Sequence, residues 1–115
     1  MQILKEVCVD SLEDAINAEK NGANRIELCS RLDLDGLTPS KKLISKVFSK
    51  LNIPIRVMIR PKHPSFIYSE EEIRLMLKSI IFCKELGVDG VVLGCLNKNS
   101  HLNIEQIDLL TKFAK

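Results

Sequence analysis

Three features of this 115-residue chain predict an α/β fold built on a parallel sheet. Four short aliphatic runs alternate with four amphipathic helical patterns, which implies right-handed βαβ crossovers. The first three runs are apolar on one face only, whereas a central strand of an open doubly wound sheet is apolar on both. Neither a G-x-G-x-x-G pattern nor a P-loop is present. The one-sided strands favour the (β/α) TIM-barrel type, in which the outer face meets helices and the inner face ends at a polar mouth. Four βα units make half of such a barrel, and residues 1–115 read as a single domain of this kind.

The first strand is read over residues 3–9, where alternation puts Glu6, Cys8 and Asp10 on one face and Val7 and Val9 on the other. Asp10 is expected to cap the next helix, with Glu13 completing a capping box. Leu12, Ala15 and Ile16 then recur at helical spacing, and Gly22 ends the helix as a left-handed glycine. The second strand covers residues 24–29, with Arg25, Glu27 and Cys29 on its polar face. After a loop holding Asp35-Gly36, Thr38-Pro39-Ser40 opens a helix with Leu43, Ile44, Val47 and Phe48 on its apolar side, proline suiting the first turn. The third strand, residues 55–59, turns Arg56, Met58 and finally Arg60 to the polar side and stops at Pro61. Ser69 and Glu72 form a second capping box before a helix carrying Ile73, Met76, Leu77, Ile80 and Ile81, closed by Gly87. Residues 88–93 are the fourth strand. Asn103 with Gln106 caps the last helix, on which Ile104, Ile107, Leu109 and Leu110 lean to one side.

Composition narrows the function. Hydrophobic residues are 45% and charged residues 28% of the chain, a globular balance. Net charge is +2 with the basic residues scattered, and aromatics are only 4%, so neither a basic stripe nor a stacking platform for nucleic acid is present. No run reaches the roughly 20 apolar residues of a membrane span, and the first residues lack a signal-peptide layout. The expected location is the cytoplasm, where Cys8, Cys29, Cys83 and Cys95 stay reduced. None forms a C-x-x-C pair, so no structural zinc site is signalled.

The polar strand face carries the chemistry. "EVCVD" and "IELCS" share Glu-x-Cys, so pairing them side by side would set Cys8 next to Cys29, with Met58 one strand over. Thiolate and thioether sulfur select Cu(I). Packing competes with ligation for every cysteine, since a free thiol behaves as a small hydrophobe. Cys83, on a helix face with Ile80, is expected in the core, and Cys95 follows the fourth strand without polar company. Glu6, Glu27, Arg25 and Arg56 can satisfy one another as buried pairs. The alternative is an anion site for a small metabolite, with Arg60 gripping a carboxylate or phosphate and Glu6 or Glu27 as general base. Under that alternative Glu27, Arg60 and Glu6 are the catalytic candidates. His63 and His101 are expected on solvated loops.

The residues also carry a family resemblance. "KEVCVDSLEDAINAEKNGANRIELC", "DGLTPS", "VMIRP", "YSEEE" and "DGVVLG" stand in the order of the CutC family of copper homeostasis proteins and cover almost the whole chain. The resemblance implies a cytoplasmic (β/α) barrel tied to copper tolerance, with Cys8 and Cys29 as Cu(I) ligands. Two departures stand out. The loop after "VMIRP" reads Lys62-His63-Pro64-Ser65-Phe66, where relatives are glycine-rich with an acidic residue. The chain is also about half the family's usual length, so the domain is incomplete relative to it. A fragment, a homo-oligomer that rebuilds the barrel, and a chain of low stability by itself are the open alternatives, because a half barrel has two free sheet edges.

Overall fold

In the computed structural model, which describes residues 2–115, four strands form one parallel sheet. They are β1 (Glu6–Val9), β2 (Arg25–Leu28), β3 (Ile55–Met58) and β4 (Gly90–Val92), in spatial order β1-β2-β3-β4. A helix follows each: α1 (Leu12–Lys20), α2 (Lys41–Lys50), α3 (Glu70–Leu86) and α4 (Ile104–Ala114). The strands are shorter than their apolar runs suggest, and a short 3-10 helix, Leu32–Leu34, occupies the polar loop after β2.

All four helices lie against one face of the sheet. Val9, Ile26, Leu28, Ile55, Val57 and Ile59 pack with Ala15, Ile44, Val47, Met76, Ile80 and Leu110 in one core. The alternate residues Glu6, Cys8, Arg25, Glu27, Arg56 and Met58 turn to the other face and remain exposed or half-buried. This is the half-barrel arrangement that one-sided strands predict. Cys83 joins the core as expected, and Cys95 is buried there as well.

The helix starts follow local chemistry, with two corrections. Ser11, not Asp10, caps α1: its hydroxyl accepts from the Asp14 amide at 3.1 Å. The chain needs one more extended residue than the pattern suggests before it turns, and Ser11 (φ −145°, ψ 158°) supplies it. Asp10 instead accepts from the Leu32 amide at 3.4 Å. Likewise Ser40 caps α2, so Pro39 stands before the cap rather than within the first turn. Ser69 and Glu72 form the expected reciprocal capping box on α3. Asn103 caps α4 through the Gln106 amide, but the Gln106 side chain donates to the Tyr68 carbonyl, tying α4 to the segment before α3.

The register carries the main correction. Cys8 pairs with Glu27, and Glu6 with Arg25, so β2 is displaced by two residues from the alignment that matches Glu-x-Cys to Glu-x-Cys. Stagger of this kind accompanies strand tilt in barrels. At the N-terminal ends of the strands, side chains satisfy the first amides: Asn24 Oδ1 accepts from Lys5, Glu19 Oε2 from Asn52 and Ile53, and Asp89 Oδ2 from Ile55. These bonds fasten the end of the sheet opposite the polar mouth.

Ile26 is fully buried between β1 and β3, so Ile26→Ala is expected to cost about 2–5 kcal/mol through lost burial and the cavity left behind. Leu75, half exposed on α3, is the control: Leu75→Ala should stay within about 0.5 kcal/mol of the parent. Urea unfolding followed by circular dichroism separates the two.

Candidate functional site

The inner face divides into a charged row and a thiol cluster. Glu6 Oε1 lies 3.0 Å from Arg25 Nε and 3.7 Å from Arg56 Nε, joining three strands. Gly90 makes room for this row: a Cβ there would stand 2.6 Å from Arg56 Nη1. Two guanidinium groups thus hold Glu6, the pairing that satisfies charges on a sheet face.

Glu27 is placed differently. No cationic nitrogen lies within salt-bridge distance of it among the described residues; two thiols approach it instead. Cys8 Sγ stands 3.7 Å from Glu27 Oε2, and Cys29 Sγ stands 4.0 Å from Glu27 Oε1. The register shift produces this arrangement, since Cys8 sits directly across from Glu27 while Cys29 follows at the end of β2. Cys8 is exposed and Cys29 is buried, roofed by Gly36. A Cβ on Gly36 would meet Cys29 Sγ at 3.2 Å and the Met58 methyl at 3.8 Å, so Met58 and Cys29 lie under one turn. The positive φ of Gly36, 95°, also requires glycine there.

Both thiols are held in the protonated form. Partial burial, then the carboxylates of Glu27 and Glu6, raise the Cys8 thiol above its ordinary value. Burial first, then Glu27 and Cys8, push Cys29 up to about 12. Cys83 rises to about 11 through burial alone. Among the described residues no group of three or more His, Cys, Asp or Glu side chains has the arrangement of a metal cage. The cluster brings two thiols onto one carboxylate, with the Met58 thioether beside Cys29.

Arg60 lies past the end of β3 and is 4% exposed. Its Nη1 donates to the carbonyls of Leu34 at 3.2 Å and Gly36 at 3.4 Å, and its Nη2 to that of Pro64 at 3.1 Å. His63 Nδ1 lies 3.4 Å from Nη2, and the Phe66 ring lies 4.3 Å from the guanidinium carbon. Its backbone amide donates to Thr38 Oγ1 at 2.7 Å. Arg60 thus clamps the loops after β2 and β3 together; among the described residues no carboxylate lies within salt-bridge distance of it and its buried Nε has no hydrogen-bond partner. With both Nη groups engaged, a bidentate grip on a ligand would require these loops to yield. His101 is exposed, and His63 is exposed but tied to Arg60.

Gly36, Thr38, Phe66 and Tyr68 shape this end of the molecule without having stood out as site residues. Tyr68 is buried, and among the described residues its hydroxyl has no hydrogen-bond partner. The Asp-Gly turn and the "DGLTPS" run signalled the first two, while Phe66 and Tyr68 stood in the "KHPSF" loop and the "YSEEE" run without being singled out.

A parallel sheet with helices on one side, its inner residues gathering charge and thiols toward the C-terminal strand ends, defines a protein of the (β/α)-barrel type. The CutC family model matches residues 3–115, and the chain belongs to the CutC family. It is 48% identical over 102 residues to a human copper homeostasis protein cutC homolog, covering 89% of this chain and 37% of that one. A family protein CutC from Glaesserella parasuis is 43% identical, with 96% of this chain and 45% of that one covered. The crystal structure of a copper homeostasis protein CutC from Streptococcus agalactiae superposes with a TM-score of 0.92 at 36% identity, covering 98% of this chain and 55% of that one. A thiamine phosphate pyrophosphorylase from Pyrococcus furiosus, at 18% identity and a TM-score of 0.56, shares the fold alone. The chain spans less than half the length of these curated relatives. No helix among the described residues is long and apolar enough to cross a membrane.

Exposure and charge together set thiol reactivity. Cys8 is expected to be the one cysteine alkylated in the native protein, while Cys29, Cys83 and Cys95 react only on unfolding. Because the thiolate is the nucleophile and its pKa is raised, the Cys8 rate should climb with pH beyond the range of an ordinary cysteine. Glu27→Gln removes a negative neighbour, lowers that pKa, and should speed labelling at pH 8. Mass spectrometry of iodoacetamide adducts reads both effects.

Proposed function

We propose that the chain serves copper homeostasis by holding Cu(I) between Cys8 and Cys29, with Met58 as a weaker third donor. The observation that carries this is the convergence of both cysteines on the Glu27 carboxylate, at the mouth end of adjacent strands. The names of its relatives support the same reading. Soft sulfur ligands favour Cu(I) over harder ions, and two thiolates suffice for an ion that accepts low coordination numbers. In this proposal residues 1–115 act as one (β/α) domain in the cytoplasm, where a reducing environment keeps the thiols available.

The protein's own groups do three things. β1 and β2 set the spacing of the sulfurs. The turn at Gly36 shelters Cys29 from water and keeps Met58 beside it. Glu27 lies against both thiols, where a proton leaving sulfur finds an acceptor. Copper enters as cargo, and each thiol that binds it must give up a proton, so affinity rises with pH while the thiols remain protonated in the free protein.

A Cu(I) titration against a competing chelator, under reducing conditions, tests this proposal. Cys8→Ser or Cys29→Ser should each weaken binding by at least about tenfold, or roughly 1.4 kcal/mol. Cys83→Ser should leave it nearly unchanged. Equal losses in all three variants, or none in the first two, would mean that the strand cysteines only pack.

A second reading rests on two uncompensated charges at the same end, since neither Glu27 nor Arg60 has an oppositely charged partner among the described residues. Under it the chain acts on a small anionic metabolite, with Arg60 binding the anion and Glu27 as base, while Glu6 stays in its ion pairs. Thermal-shift screening with phosphorylated and carboxylated metabolites discriminates. A stabilising compound whose effect disappears in Glu27→Gln and Arg60→Ala but persists in Cys8→Ser would favour this reading over copper.

A further inference from the structure

The chain after β2 folds as a small lobe on a firm base. At the base, Ser30 and Leu37 exchange two backbone hydrogen bonds, at 2.8 and 2.7 Å. Ser30 Oγ donates to the Thr38 carbonyl at 3.1 Å, and the Thr38 amide donates to the Arg60 carbonyl at 2.9 Å. Residues 31–36 close on themselves: the Leu34 and Gly36 amides donate to the Arg31 carbonyl, and the Asp35 amide to that of Leu32. Arg31, Asp35 and Gly36 have positive φ, at 49°, 64° and 95°. For Arg31 and Asp35 this conformation costs free energy and persists only when its surroundings hold it. Little packing does so, since Arg31, Leu32, Asp33 and Asp35 are exposed. Three hydrogen bonds tie residues 31–36 to the rest of the described residues. The Leu32 amide donates to Asp10 Oδ2 at 3.4 Å, and Arg60 Nη1 donates to the Leu34 and Gly36 carbonyls at 3.2 and 3.4 Å. All three are long beside the bonds of the base.

We propose that residues 31–36 are a flap over Cys29, and that Arg60 is the positioning residue that latches it and so sets access to that thiol. Cys29 is 2% exposed, and Gly36 lies over its sulfur, where a Cβ would stand 3.2 Å from Sγ. The same glycine offers its carbonyl to Arg60. Lifting the flap therefore breaks the Arg60 bonds and uncovers the thiol in one movement, with the Ser30–Leu37 pair as hinge. The other half of the latch is fixed. The Arg60 amide donates to Thr38 Oγ1 at 2.7 Å, Nη2 donates to the Pro64 carbonyl at 3.1 Å, and the guanidinium carbon lies 4.3 Å from the Phe66 ring centre. The choice of partner favours release. A carboxylate would hold a buried guanidinium by a stronger, doubly charged bond, whereas neutral carbonyls hold it more weakly. Cys8 is exposed and needs no such movement, so entry to the thiol pair is governed at Cys29. The residues involved lie on β2, β3 and the loops after them, and these are the two inner strands of the sheet. This inference does not depend on copper.

Timed iodoacetamide labelling at a fixed pH, with each cysteine followed by peptide mass spectrometry, tests the latch. Circular dichroism verifies that each variant is folded. Arg60→Met keeps an apolar stem against Phe66 and removes every donor to the flap. Where that variant does not fold, Arg60→Lys takes its place, since it keeps the charge but replaces the planar fork with a single nitrogen. In the folded variant Cys29 should be labelled at least about tenfold faster than in the parent, because local opening exposes it without global unfolding. Cys83, buried on α3, is the control and should keep its parental rate. A folded variant whose Cys29 reacts as slowly as in the parent would overturn the proposal. So would equal acceleration of Cys29 and Cys83, which marks a general loosening of the core. Failure of both variants to fold would make Arg60 a determinant of the fold and not a latch, and would overturn it as well.

Discussion

One constraint governs this molecule: every strand must bury alternate side chains against a single layer of helices. Ile26, Leu28, Ile55 and Val57 are sealed by the helix layer, and among the described residues no second helical layer covers the residues between them. A parallel strand alternates its faces strictly, so the positions left over point to a common interior. There polar and ionisable groups are tolerated because they meet each other and solvent rather than a dry core. The helix layer therefore decides where chemistry is permitted.

Within that interior, charge and sulfur are sorted along the strands. Toward the N-terminal ends, carboxylates and an amide close the first backbone donors, and Glu6 is held between two arginines. Toward the C-terminal ends the compensation stops. Glu27 meets thiols instead of cations, and Arg60 meets carbonyls instead of carboxylates. A buried guanidinium held by three backbone carbonyls is a fastening for loops, and it holds in place the turn that roofs Cys29. The order from paired to unpaired groups matches the general division of (β/α) barrels into a stabilising end and a functional end.

The same constraint explains the edges. Ile26, Leu28, Ile55 and Val57 of the interior strands are buried, and so is Val9 of β1, whereas Val7 is exposed and Val91 half-buried. Similarity to a structure that is nearly twice as long fits this geometry: 98% of the chain superposes on 55% of the Streptococcus agalactiae protein. The matched part has the same helix layer and strand order in both.

Much of this was legible in the sequence because it depends on period and local chemistry. The one-sided strands, their parallel order, the capping box of Ser69 and Glu72, the glycine stops at Gly22 and Gly87, and the core position of Cys83 all follow from side-chain alternation and backbone preference. The family motifs were equally visible as strings of residues. The tertiary structure alone decided what faces what across strands. Matching Glu-x-Cys to Glu-x-Cys put Cys8 beside Cys29, but the sheet shifts by two residues and puts Glu27 beside Cys8 instead. It also gave the α1 cap to Ser11 and turned Arg60 onto carbonyls of two loops. Alternation determines which face a side chain occupies, but register and loop closure depend on strand tilt and on packing between segments far apart in the chain, which no local pattern encodes.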